Sequence, residues 1–489
     1  MLLSLTIAGV LGASTGTPGV QPPSPFGSLP SPRQIAHAHL ETYAFLHFSP
    51  NTFTDREWGN GDEDPNVFNP TRFDPDQIVA ALKAAGMEGA ILTCKHHDGF
   101  CLWPTKTTEH SIASSSWRGG HGDVVKEISD ACKRHGLKFG VYLSPWDRNN
   151  AHYGKPEYVS IYREQLRELL TQYGSIFEVW HDGANGGSGY YGGARETRSI
   201  DRKTYYGWPQ TWELVRKLQP GACIFSDIGP DLRWVGNESG YAADTSWSTY
   251  DPVGEQNDAP APGYVKSELG ETGTRGGRHW LPAECDVSIR PGWFWHSSED
   301  SKVKSVDQLT ELYFKSVGRG ASFLLNVPPN REGRISDPDV ETLKEFGHRI
   351  RATFEHNLVS GASLSASNTR GNDSRFRVEN LISNDSKNYW ATDDSVMTPT
   401  IEIQFRQVKT FDVIRLREAI QLGQRVEAFA VDVWKDGEWK EAAAATSVGS
   451  CRLIRLDEPV TTDRVRLRIT RSPVCPALNG FGLFLLAKK

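Results

Sequence analysis

From about residue 36 to residue 327, short apolar runs alternate with longer stretches whose apolar positions recur at helical spacing. The short runs are Y-A-F-L-H-F (43–48), A-I-L-T-C-K-H-H (90–97), F-G-V-Y-L-S (139–144), I-F-E-V-W (176–180), A-C-I-F-S-D (222–227) and S-F-L-L-N-V (322–327). Helical periodicity fills the gaps over 76–85, 123–135, 156–173, 208–218 and 306–317. Asp74-Pro75 opens the first of these helices and Gly136 closes the second. Strands separated by helices at this pitch form right-handed crossovers and a parallel sheet. Roughly 290 residues of such alternation suit a TIM-like (β/α)8 barrel. A doubly wound sheet is the alternative, but no G-x-G-x-x-G follows any apolar run, so the barrel is the expected fold.

A further helix is predicted over 337–357, and after Ser360 the texture changes. Ser, Asn, Asp and Thr dominate, and short alternating runs follow: T-I-E-I-Q-F (400–405), D-V-I-R-L-R (412–417), F-A-V-D-V-W (429–434) and R-V-R-L-R-I (464–469). Closely spaced strands without helices predict an antiparallel β-sandwich. The stretch N-L-I-S-N-D-S-K-N-Y-W-A-T (380–392) resembles the start of discoidin-like, or factor 5/8 type C, sandwiches, many of which bind sugars. Such a module either binds carbohydrate or only braces the barrel, with Trp390 in its core. The expected organisation is a leader over 1–35, a catalytic barrel over 36–356 and a carbohydrate-module-like sandwich over 357–489.

The leader begins with an apolar run, 2–13, followed by small residues and a Gly/Pro/Ser-rich tail to about Pro32. It resembles the later part of a signal peptide, although no Lys or Arg precedes it. The expectation is a secreted or periplasmic protein. A run of about a dozen residues is too short for a comfortable membrane span, so no membrane partner is expected. A net charge of -6 gives no basic excess for nucleic acid. Seven scattered cysteines show no zinc spacing and read as mostly buried thiols, with a Cys94–Cys101 or Cys451–Cys475 bridge as the alternative.

Chemistry-bearing residues gather at one end of the predicted strands. Strand 1 delivers His47, with Glu57 and Trp58 in the loop beyond it. The second apolar run delivers His96, His97 and Asp98, and the third Tyr142. I-F-E-V-W-H-D-G-A-N-G (176–186) ends on Trp180 and Asp182 and turns at once, as a buried strand does where it passes into a loop. The next run ends at Asp227, and R-W-V-G-N-E-S-G (233–240) carries Glu238. R-P-G-W-F-W-H (290–296) adds Trp293 and Trp295. Taken singly, Asp182 reads as a turn residue, each His as a structural hydrogen-bonder and each Trp as packing. Their convergence at the C-terminal ends of barrel strands is what points to catalysis. Two carboxylates among His and Trp are the equipment of glycoside hydrolysis, one attacking the anomeric carbon and the other protonating the leaving oxygen. The 15 Trp and 15 Tyr fit this, because aromatic faces suit the C–H faces of sugars.

These motifs resemble the α-L-fucosidases of glycoside hydrolase family 29. The resemblance rests on H-F-S-P-N-T-F (47–53), E-W-G-N-G (57–61), K-H-H-D-G-F-C-L-W-P (95–104), Y-L-S-P-W-D-R-N (142–149), E-V-W-H-D-G-A (178–184), F-S-D-I-G-P-D-L-R-W-V-G-N-E-S-G (225–240), A-E-C-D-V-S-I-R-P-G-W-F (283–294) and L-L-N-V-P-P-N-R-E-G-R-I (324–335). It implies a retaining exo-α-L-fucosidase with Asp182 as nucleophile and Glu238 as general acid/base. His47, His96, His97, Glu57 and Trp58 would hydrogen-bond fucose hydroxyls. Tyr142 and Trp180 would line the sugar pocket, and Trp293 or Trp295 would pack against the fucose face or its methyl. No metal or organic cofactor is implied, and the partner would be a fucosylated oligosaccharide. E-V-W-x-D-G-A with R-W-x-G-N-E-x-G is similar to the subgroup that cleaves α-1,3/1,4 linkages of Lewis-type glycans. A broader α-L-fucosidase and an inactive fucose-binding protein are the alternatives. One position departs from the pattern: His181 stands where the resemblance implies Phe, and on a strand it should point away from Asp182. The Gly/Tyr-rich loop 186–198 is a candidate contact for the rest of the substrate.

Overall fold

The computed structural model describes residues 19–488 apart from 384 and 386; the apolar run 2–13 lies outside them. Eight strands form one parallel sheet: β1 (Thr42–Leu46), β2 (Gly89–Lys95), β3 (Lys138–Leu143), β4 (Ile176–Trp180), β5 (Cys223–Phe225), β6 (Arg233–Trp234), β7 (Ala283–Ser288) and β8 (Ser322–Asn326). Their order is β5-β4-β3-β2-β1-β8-β7-β6. The two ends of that order meet through a parallel bridge between Phe225 and Leu232, so the sheet curls into a near-closed barrel. The helices packed around it are α1 (Pro32–Ala38), α2 (Pro75–Ala84), α3 (Val124–His135), α4 (Pro156–Gln172), α5 (Trp208–Leu218), α6 (Val306–Lys315) and α7 (Asp337–Phe354).

The helix starts are set by side chains that satisfy otherwise unpaired N–H groups. Asp74 accepts from the Gln77 amide at 3.0 Å and Asp123 from the Lys126 amide at 2.8 Å. Alternation along each strand then divides the core in two. One set of side chains, including Leu92 and Val141, meets Leu82, Ile128 and Leu166 of the helices. The other set fills the barrel: Tyr43, Phe45, Tyr142, Trp180, Phe225 and Leu324.

The C-terminal region is an antiparallel β-sandwich of β9 (Ser363–Ala366), β10 (Trp390–Ala391), β11 (Thr400–Glu418), β12 (Ala428–Lys435), β13 (Glu438–Thr446), β14 (Arg452–Arg471) and β15 (Ala477–Phe484). β11 and β14 are long and serve both layers. Register shifts between Gln404 and Lys409 and between Phe411 and Val413 bend them from one layer to the other. Trp390, Phe411, Leu467 and Phe481 are buried between the layers.

The sandwich is fused to the barrel. Val413, Leu453, Phe484 and Leu486 join the barrel's own apolar cluster, and Arg417 pairs with Glu41 beside β1. Residues 19–31 run across both parts: the Gln21 carbonyl accepts from Arg370 at 2.5 Å, the Phe26 amide donates to Leu422 at 3.0 Å, and Ser28 Oγ donates to the Gly277 carbonyl at 2.8 Å. All seven cysteines are free and buried, so neither sequence-suggested bridge forms. No helix among the described residues is long and apolar enough to cross a membrane.

Candidate active site

The C-terminal ends of the eight strands open onto a cavity of about 360 Å³. Its lining includes Phe45, His47, Glu57, Trp58, His96, His97, Tyr142, Trp180, Asp182, Asp227, Trp234, Glu238, Asp286 and Trp293. The floor is aromatic: Trp180 stacks on Phe225 at 4.1 Å and on Tyr142 at 5.3 Å between centroids. Such a surface suits the apolar face of a sugar ring.

Asp182 stands two residues past the end of β4, where the chain leaves the sheet. Its Oδ1 accepts from the Ala184 amide at 2.6 Å and its Oδ2 from the Tyr142 hydroxyl at 3.0 Å. The position after it must be glycine, because a Cβ there would sit 2.4 Å from an Asp227 carboxylate oxygen. His181, its other neighbour, points the opposite way. It is buried against Trp208, with Nδ1 2.8 Å from the Tyr162 hydroxyl, and burial pushes its pKa down to about 3.

Three histidines form the opposite wall. Burial depresses the pKa of each: His47 to about 3, His96 well below its ordinary value, and His97 also downward, partly opposed by Asp182. They are therefore neutral at neutral pH, and two have their tautomers set by neighbours. His47 Nδ1 lies 2.8 Å from the side-chain oxygen Oδ1 of Asn326, so it carries the proton and Nε2 is left as an acceptor. Ser144 donates to the Trp146 carbonyl at 2.7 Å, so His97 Nδ1, 2.7 Å away, must donate to Ser144. That leaves the lone pair of His97 Nε2 4.0 Å from Asp182 Oδ2.

Glu238 follows the two-residue strand β6 and stands exposed at the mouth. Trp293 Nε1 donates to its Oε2 at 3.1 Å. Desolvation raises the Glu238 pKa; the Trp293 hydrogen bond opposes this, and the charges of Asp182 and Glu57 add to it. Two further carboxyls share the cavity. Asp286, on β7, accepts from Trp234 Nε1 at 2.8 Å, and burial, then Glu238, raise its pKa strongly. Burial lifts Asp227 to about 6, with Asp182 adding to the rise and the Gly263 amide, 2.8 Å from Oδ2, opposing it.

The structure thus gathers all but two of the residues singled out from sequence around one cavity; Asp98 turns away from it, accepting from the Phe100 amide at 2.8 Å and the Ser49 hydroxyl at 3.2 Å. The other exception is Trp295, which lies between Arg290 and Arg331 outside the lining, so of the two tryptophans only Trp293 faces the cavity. Asp286 and Trp234 were not picked out as site residues, and Asp227 was noted only as a strand end. Asp286 had a readable signal in the polar alternation Glu284, Asp286, Ser288 along one face of a strand. The loop 186–198 is a small hairpin, Gly187–Gly189 with Glu196–Arg198. Its Tyr191 is buried and accepts from Trp146 Nε1 at 3.0 Å, and no residue of the hairpin lines the cavity.

Deeper in the barrel, His37, Glu178 and Glu284 bring ligand-type atoms within 4.8 Å of one another. They belong to a hydrogen-bond network: His37 Nε2 meets Glu178 at 2.7 Å, and Glu284 accepts from Trp180 Nε1 at 2.6 Å and from the Tyr43 hydroxyl. Burial raises both carboxyls, Glu178 to about 8, which suits a shared proton.

A sequence model of the α-L-fucosidases matches residues 34–353. The chain belongs to the α-L-fucosidase family. It is a glycoside hydrolase, and residues 363–479 of this fucosidase match the F5/8 type C domain. It is 41% identical to alpha-L-fucosidase 1 of Arabidopsis thaliana over 467 residues, which span 95% of this chain and 88% of the relative. A glycoside hydrolase 29 family member from an unknown rumen bacterium superposes with a TM-score of 0.83 at 40% identity, covering 95% of this chain and 78% of that one. A GH29 fucosidase of Ruminococcus gnavus, solved in complex with fucose, superposes with a TM-score of 0.86 at 30% identity, covering 96% and 98%.

Proposed function

We propose that this fucosidase is a retaining exo-enzyme that releases α-1,3/1,4-linked L-fucose from Lewis-type oligosaccharides or glycoconjugates. The observation that carries the reading is the placement of Asp182 and Glu238 on walls of one aromatic-floored cavity, in contrasting surroundings. Asp182, steadied by Tyr142 and the Ala184 amide, attacks the anomeric carbon. Glu238, with its raised pKa, gives its proton to the departing glycosidic oxygen and then takes one from the water that releases fucose. The neutral imidazoles of His47, His96 and His97 accept from and donate to fucose hydroxyls without adding charge beside the developing oxocarbenium ion. Trp293 packs on the sugar and holds Glu238.

The linkage preference is supported by the paired motifs around Asp182 and Glu238, and the cavity has further lining residues, Trp234, Val265 and Ser267, to offer the rest of the substrate. Side-by-side hydrolysis of Lewis a, Lewis x and 2'-fucosyllactose tests it, with cleavage of the first two alone as the expected outcome. Comparable release from 2'-fucosyllactose would establish the broader-specificity reading instead. NMR of the first-formed fucose should show the α-anomer; the β-anomer would overturn the double displacement.

A further inference from the structure

Beyond the fucose-hydroxyl contact that the resemblance implies for it, Glu57 lines the cavity with a carboxylate that is densely engaged. Its Oε2 accepts from the Trp293 amide at 2.7 Å, and its Oε1 accepts from the Phe294 amide at 3.2 Å and meets His296 Nε2 at 2.7 Å. The other nitrogen of His296, Nδ1, lies 2.8 Å from Asp55 Oδ1. Carboxylates only accept at neutral pH, so a ring with one on each nitrogen must donate from both, as an imidazolium does. The closeness is built in. Gly292 lies against both partners, where a Cβ would come 2.6 Å from Glu57 Oε1 and 3.0 Å from the His296 ring. The two segments joined here follow β1 and β7, more than 200 residues apart in the chain. The backbone so pinned carries Trp293, whose indole N–H holds Glu238.

We infer that His296, clasped between Asp55 and Glu57, is a positioning residue for the acid/base Glu238, acting through Trp293. Asp55 and Glu57 reach the ring from the segment after β1. From the segment after β8, Arg331 lies 3.6 Å from Asp55. On the ring's own segment, Arg290 donates to the His296 carbonyl at 3.4 Å, and Glu299 accepts from the Gly292 amide at 3.2 Å. Burial disfavours the His296 cation, but its two carboxylate partners outweigh this and raise its pKa, so the clasp holds to higher pH than an ordinary imidazolium would and opens as pH rises past the raised value.

The inference rests on Glu238 as acid/base, so the experiment measures His296→Ala and Glu238→Gln together. Each is assayed on a Lewis-type trisaccharide and on an aryl fucoside whose leaving group needs no proton. For His296→Ala, kcat/KM should fall roughly tenfold or more on the trisaccharide and less than about threefold on the aryl fucoside. The alkaline limb of its kcat/KM profile on the trisaccharide should move to higher pH, because freeing Glu238 from the indole N–H removes a bond that favours its ionised form. Equal losses on both substrates with an unmoved alkaline limb, or no loss at all, would overturn the inference. If Glu238→Gln itself fails to discriminate between the substrates, the acid/base assignment falls. If it discriminates and His296→Ala does not, only the clasp falls. Asp55→Asn, at an exposed side chain, keeps the test sound should His296→Ala fold poorly. It should show the same selective loss at a few-fold, and equal behaviour on both substrates would count against the clasp.

Discussion

Asp182, Gly183 and His181 are three consecutive residues with three unrelated constraints. Asp182 needs an open carboxylate, so Asp182→Ala should lower kcat/KM by at least about 1000-fold while leaving the melting temperature near that of the parent; full activity would sink its role as nucleophile. Gly183 needs the absence of a side chain beside Asp227. His181 needs very little. Tyr162 donates its proton to the Leu143 carbonyl at 3.0 Å, so His181 Nδ1 donates to Tyr162 and its buried Nε2 is left without a partner. His181→Phe therefore exchanges one hydrogen bond, worth about 1 kcal/mol net, for removal of an unsatisfied acceptor. Turnover within about twofold of the parent and a stability change below about 1.5 kcal/mol are expected from kinetics and calorimetry. A large loss of activity would show that the departure at this position reaches the chemistry. Alternation along β4 was enough to foresee that His181 turns away from Asp182. The partners it meets there, on α4 and α5, were not readable from the strand itself.

At the scale of elements, legibility followed the strength of the local pattern. Six of the eight barrel strands were apolar runs, and their observed ends differ from the sequence reading by one or two residues. β6 is only two residues long and has no periodicity to detect. β7 escaped because its barrel-facing positions are Glu284 and Asp286, which look like a solvent face until Tyr43, Trp180 and Trp234 are seen to satisfy them. Helix ends were clearer, because capping chemistry is local. Asp123 illustrates this: one oxygen caps α3 through the Lys126 amide, and the other accepts from Tyr173, just past α4, at 3.0 Å. Asp123→Ala should cost about 1–2 kcal/mol in denaturant unfolding and leave kcat/KM unchanged, since neither Asp123 nor any residue of α3 lines the cavity. An unchanged midpoint would mean that neither bond contributes to stability.

The whole molecule was the least legible level. The sandwich was expected as a second domain that either binds carbohydrate or braces the barrel, but the contacts that dock it, through Arg417, Leu453 and Phe484, join residues too far apart in the chain to be paired by inspection. The same holds for residues 19–31, bound across both domains, and for the hydrogen-bond network buried in the barrel. Buried ionisable groups in both domains govern how the molecule responds to pH. Burial depresses His37 to about 4 and His47 and His181 to about 3, against about 6.5 in an unfolded chain. Between those values the unfolded state binds more protons, so each of these histidines withdraws stability as pH falls from about 6.5 to its folded value, at about 1.4 kcal/mol per unit. Burial also raises carboxyls: Asp98 and Glu418 to about 7, Glu178 to about 8 and Asp227 to about 6, against about 4 unfolded. For these the folded state binds more protons, so each withdraws stability as pH rises from about 4 to its folded value. The two sets oppose each other between about pH 4 and 6.5. Of these buried groups, only the carboxyls act above that window and only the histidines below it. Melting temperatures followed by calorimetry should therefore be highest on a shallow plateau between about pH 4.5 and 6.5, fall gradually toward pH 8 and fall steeply below pH 4. A melting temperature that climbs steadily from pH 5 to pH 8 would show that the buried carboxyls are ionised in the native protein, and that the fold holds them as charges.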